Sequence, residues 1–126
     1  MWLMTTMGMF SAVCPRTEKG HGGKVETDKI MVRARVRGHI EALRERFSDL
    51  GDAELIETRH ADYRYRIIVD KAAWTEAVGQ MIAEQDYTNF KNAADSLQGR
   101  SGTAYIHALH RVWDVMHELQ MLSTDR

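Results

Sequence analysis

Residues 29–37, KIMVRARVR, set Val32, Ala34 and Val36 on one side of the chain and Arg33, Arg35 and Arg37 on the other. A period of two is what a β-strand with one buried face requires, and a helix cannot use it. Directly afterwards the spacing changes: Ile40, Leu43 and Phe47 recur three and four residues apart up to a stop at SDLGD, 48–52. That is the apolar stripe of an amphipathic helix. A half-buried strand feeding such a helix needs a layer of helix on sheet, so the chain is constrained to a mixed α and β architecture.

The rest of the sequence extends this pattern. AELIETRHADYRYRIIVD, 53–70, reads as two strands around RHAD, with Tyr63, Tyr65, Ile67 and Val69 on one face and Arg64 and Arg66 on the other. Asp70 stands where a helix cap belongs, ahead of a stripe of Trp74, Val78, Met81 and Gln85. MWLMTTMGMFSAV, 1–13, is apolar with a turn signal at Thr5, Thr6 and Gly8; it lacks a positively charged leader and reads as a hairpin rather than a signal peptide. The polar segment 15–28, with Pro15 and three glycines, reads as a flexible loop. Thr88 or Asn89 can cap a short helix carrying Phe90, Ala94 and Leu97 and ended by Gly99, and a last helix spans about 104–121, followed by a frayed tail, 122–126. The expected fold is α+β: an antiparallel sheet of four or five strands with helices on one face, a ferredoxin-like sandwich with two added C-terminal helices. At 126 residues it is expected to be a single domain.

Charge and cysteine content narrow the function classes. Seventeen Lys and Arg stand against eighteen Asp and Glu, a formal net charge of −1. There is thus no bulk electrostatic case for duplex nucleic acid or an anionic membrane. The one cysteine, Cys14, excludes an internal disulfide and fits a reducing cytoplasm.

Three groups of residues could carry chemistry. Arg33, Arg35, Arg64 and Arg66 occupy outward positions of two strands and, if those strands are neighbours, form a basic sheet face able to hold phosphate or carboxylate. Against this, the same arginines could pair with acids such as Glu54 and Glu57. Tyr63 and Tyr65 alternate onto the opposite face, so stacking of single-stranded nucleic acid is not expected. DYTNFK, 86–91, gathers Asp86, Tyr87, Asn89 and Lys91 at a helix start, as a ligand rim or as a cap with Tyr87 and Phe90 anchoring the loop. On the last helix His107, His110, Asp114 and His117 fall within about 80° of one another, opposite an apolar stripe of Tyr105, Leu109, Val112, Met116 and Leu119. Two or three of that polar set could share a zinc ion, but not all four, because ten helical residues span about 15 Å.

Taken together, the Trp2-containing first strand, the DYxNFK element at 86–91 and Trp113 on the last helix resemble a family of small uncharacterised bacterial proteins. The resemblance covers most of the chain apart from 15–28 and the tail. It implies a cytoplasmic bacterial protein and carries over no catalytic residue. The leading functional expectation is a non-enzymatic binding or regulatory module that acts by self-association or by binding another protein, without a cofactor; eight methionines and three tryptophans in so short a chain suit an adaptable apolar surface. The alternatives are a small anionic-ligand domain or weak enzyme using the arginine face, and a metal-binding protein using the histidine stripe.

Overall fold

The computed structural model describes residues 1–17 and 22–123. Their contacts fall into two compact units, Met1–Asp86 and Tyr87–Arg126.

The first unit is an α+β layer structure. Strands β1 (Trp2–Thr5), β2 (Gly8–Val13), β3 (Lys29–Ala34), β4 (Ile56–Glu57) and β5 (Tyr65–Asp70) form one antiparallel sheet in the order β1-β2-β3-β5-β4. Helix α1 (Arg37–Arg46), the single turn α2 (Ser48–Gly51) and helix α3 (Lys71–Ala83) complete it. β3 and β4 both run antiparallel to β5, so they are parallel to each other, and α1 carries the chain over β5 between them. This is the split crossover of a ferredoxin-like sandwich, with β2 filling the place that a strand after α3 would take.

The alternation seen in the sequence decides which face is buried. Phe10 and Ala12 of β2, Val32 and Ala34 of β3, and Tyr65, Ile67 and Val69 of β5 point to the core, where Ile40, Leu43 and Phe47 of the α1 region and Trp74 and Ala77 of α3 meet them. Full burial of each large apolar side chain contributes about 1.5–3 kcal/mol, so this face accounts for most of the unit's stability. Leu50 closes the core beneath α2.

The elements are shorter than the alternation implies at two points. β3 stops at Ala34, and Val36 serves as the N-cap of α1, about half exposed. β5 begins only at Tyr65, because 58–64 form a turn closed by hydrogen bonds from Thr58 N to Arg64 O and from Ala61 N to Thr58 O. Asp70 holds the N-cap position of α3 without a capping bond from its side chain, which pairs instead with Lys29 directly across β3. Part of the segment expected to be a loop is paired: Arg16 and Val25 form an antiparallel bridge, and Arg16 Nη1 donates to Gly23 O at 2.8 Å. Residues 18–21 of that segment lie outside the described residues, as do 124–126 of the tail.

The second unit is a helical hairpin: α4 (Phe90–Gln98), a 3₁₀ turn (Gly99–Gly102) and the twenty-residue α5 (Thr103–Leu122). Asn89 caps α4, its Oδ1 accepting from Asn92 N at 3.0 Å. Gly99 ends the helix at φ 62°, a conformation that glycine adopts without strain. α4 and α5 pack on each other, with Ala94, Tyr105 and Leu109 buried. Among the described residues no helix is long and apolar enough to cross a membrane.

Candidate functional site

The four arginines of the basic face do not act as one group. Arg64 is held by Glu57, with Nε at 2.8 Å and Nη2 at 2.7 Å from the same carboxylate oxygen. Arg35 reaches Asp62 at 3.3 Å. Arg33 and Arg66 are different. They are direct cross-strand partners on β3 and β5, on the sheet face opposite α1 and α3, and among the described residues neither has an ion pair.

Arg33 is fixed in place by two contacts. Its Nη2 donates to Ser11 Oγ at 2.8 Å, and its guanidinium lies 4.4 Å from the centre of the Tyr63 ring. Ser11 is the β2 partner of Arg33 and is itself buried, while the Nε of Arg33 is buried without an acceptor. Arg35 also lies over Tyr63, at 4.0 Å. Tyr63 therefore stands with the arginines and not, as alternation suggests, on the face of Tyr65. It precedes β5, so the two-residue period no longer governs its direction.

Ser11 and Tyr63 are neighbours of Arg33 that the sequence does not reveal. Nothing in GMFSAV distinguishes Ser11, and only the β2–β3 register brings it to Arg33.

The DYTNFK element serves the helical hairpin. Asn89 is a cap, and the rings of Tyr87 and Phe90, one on each side of it, meet at 6.0 Å in a tilted pair that holds the loop to the first helical residue; they are not the positions of a hydrophobic staple, which joins the residue before the cap to the fourth of the helix. Lys91 turns to α5, with Nζ 3.3 Å from His110 Nδ1 and 5.4 Å from the centre of the Trp113 ring. Asp86 is exposed at the last position of the first unit.

His107, His110, Asp114 and His117 are all exposed, on the side of α5 opposite Tyr105 and Leu109. His117 stacks on Trp113 at 4.9 Å, and His110 faces Lys91. Among the described residues no three His, Cys, Asp or Glu side chains stand close enough to hold one metal ion.

The apolar stripe of α5 is only partly covered. Tyr105 and Leu109 are buried and Val112 is half-buried, but Met116 and Leu119, the next members, are 55% and 53% exposed. Trp113, Val115 and Leu122 flank them at 53%, 62% and 75% exposure, and Leu97 on α4 is exposed as well. Spacings of four, three, four and three from Tyr105 to Leu119 form a heptad seam, and Trp113, Val115 and Leu122 widen it at the flanking positions.

The chain matches no known family, no curated protein and no solved structure.

Proposed function

We propose that the chain is a non-enzymatic, cytoplasmic association module whose helical hairpin joins that of a second copy to build a four-helix assembly. The observation that carries this reading is the exposed half of the α5 seam. A heptad repeat with apolar residues on both flanks is suited to two neighbouring helices rather than one. Within its own unit α5 has α4, nine residues against its twenty, which at about 1.5 Å per residue can follow less than half of its length.

A second hairpin answers this deficit. Leu97, Trp113, Val115, Met116, Leu119 and Leu122 each present on the order of 100 Å², together about three quarters of the roughly 800 Å² per partner of a standard interface. An exposed apolar area of this size lies at the upper end of the largest patches on soluble monomers, about 300–600 Å², which often mark interaction sites. Charge does not oppose pairing of like with like, because in the two helices and their turn Lys91, Arg100 and Arg111 are matched by Asp95, Asp114 and Glu118. The histidines and these charged groups on α5 lie on the opposite, solvated side of the wheel.

The test is sedimentation of the untagged chain beside the double variant Met116→Glu, Leu119→Glu. The unaltered chain is expected to be dimeric at micromolar concentration, and the variant monomeric with an unchanged far-ultraviolet dichroism spectrum. A monomer at about 100 µM, or a dimer indifferent to both glutamates, would overturn the reading. In the first case the same seam would have to be filled by a different protein.

A further inference from the structure

We propose that Arg33 and Arg66 form a binding site for the phosphoryl group of a small phosphorylated ligand, on the sheet face opposite the core helices. The site rests on the first unit alone and goes beyond the association proposed for the hairpin.

The register places the two guanidinium stems directly opposite one another, on Cα atoms about 4.5–5.5 Å apart. Like charges in that position repel and lower sheet stability unless something between them is negative. Elsewhere on the same face the protein supplies that negative group itself: Lys29 and Asp70, also direct partners on β3 and β5, form an ion pair. At Arg33 and Arg66 no described residue does so.

Preorganisation distinguishes this pair from loose surface arginines. Arg33 is anchored at Nη2 by Ser11 and braced on the Tyr63 ring, so little side-chain freedom remains to be lost on binding. A guanidinium carries five N–H donors; the bond to Ser11 uses one of Arg33's and burial withdraws its Nε, so the remaining Nη hydrogens are those a ligand can meet. Arg66 is half-buried, and no hydrogen bond of its side chain is formed with a described residue.

The ligand chemistry follows from charge and donor count. Two guanidinium groups present two positive charges and two planar forks. A carboxylate has one negative charge and two oxygens, enough to saturate one fork. A phosphate monoester carries about −1.5 to −2 at neutral pH on three terminal oxygens, which matches both arginines at once. Tyr63 is buried beneath Arg33 and Arg35, so its ring is not offered to a nucleobase, and recognition rests on the phosphoryl group.

Calorimetric titration of the full chain with inorganic phosphate, phenyl phosphate and acetate at constant ionic strength tests this. Both phosphates are expected to bind at one site per chain, with acetate at least tenfold weaker. Arg66→Gln should weaken phosphate at least tenfold, as should Arg33→Gln if it folds, whereas Arg100→Gln, which removes the same charge on the hairpin, should leave it unchanged. The proposal fails if no phosphate heat is seen, if acetate binds as well as phosphate, or if Arg100→Gln weakens binding as much as Arg66→Gln. It also fails if a short single-stranded oligonucleotide binds through Arg66 far more tightly than phenyl phosphate, since the site would then belong to a nucleic-acid backbone. The titration can be read in a monomer or a dimer, so its outcome is independent of the sedimentation result.

Discussion

Gly8 lies so close to His39 that a Cβ at position 8 would stand 2.3 Å from the imidazole Cγ and 2.5 Å from His39 Cβ. Gly8 opens β2, and His39 is in the first turns of α1, so this contact sets how near the helix comes to the sheet. The ring also meets the strand through Met9 N, 3.4 Å from His39 Nδ1. Gly8→Ala is therefore expected to push α1 outward and to destabilise the chain by about 1–3 kcal/mol, the usual cost of overpacking a close contact. Urea denaturation of the variant checks this. A midpoint equal to that of the unaltered chain would mean that the helix can retreat freely.

His39 also makes stability depend on pH. Burial holds its pKa below the ordinary 6.5, since the desolvated ring resists taking up a proton. The unfolded chain then binds the proton more readily than the folded one, so stability is complete above pH 6.5 and declines as the pH falls below it towards the folded value. Melting temperatures recorded between pH 7.5 and 5 should fall, and His39→Gln should flatten the upper part of that slope. An equal slope in both proteins would assign the effect to other groups.

The sequence made the sheet legible because residues such as Val32, Ala34, Ile67 and Val69 obey one local rule, alternation against a buried face. The same rule misleads at Val36 and Tyr63, each two residues outside its strand, where the backbone has already turned. The α5 stripe was equally readable as a direction on a wheel. A wheel, however, says which way Met116 and Leu119 point and not whether anything meets them there, and they are exposed. Alternation also turns Arg33 and Arg66 to the outer face, but that they stand directly opposite one another depends on the register of strands more than thirty residues apart.

Asn89 gives a test confined to the hairpin. Its carboxamide oxygen accepts from Asn92 N and satisfies one of the otherwise open N–H groups at the start of α4. Asn89→Ala should cost about 1 kcal/mol, and Asn89→Asp should retain the cap. Hydrogen exchange at the amides of α4 separates these outcomes: faster exchange in the alanine variant alone is expected, and equal exchange in all three proteins would show that the cap contributes nothing.

Arg44 and Arg46, two residues apart on α1, should differ sharply in their response to truncation. Arg46 meets the exposed Glu84, whose carboxyl is held below its usual range first by the Gln80 amide and then by Arg46 itself. Both partners are open to water, where solvent screens the attraction, so Arg46→Ala is expected to leave the melting temperature unchanged within error. Arg44 Nη2 instead donates to Gly51 O at 3.0 Å and Ala53 O at 2.9 Å, tying the end of α2 and the following loop back to α1. Loss of those bonds leaves two carbonyls at a helix end without a donor, beside the buried Leu50, so Arg44→Ala should cost about 1–3 kcal/mol. Thermal denaturation of the two variants side by side checks the contrast. Equal losses would mean that the arginine stems, packed along α1, matter more than the bonds made by their heads.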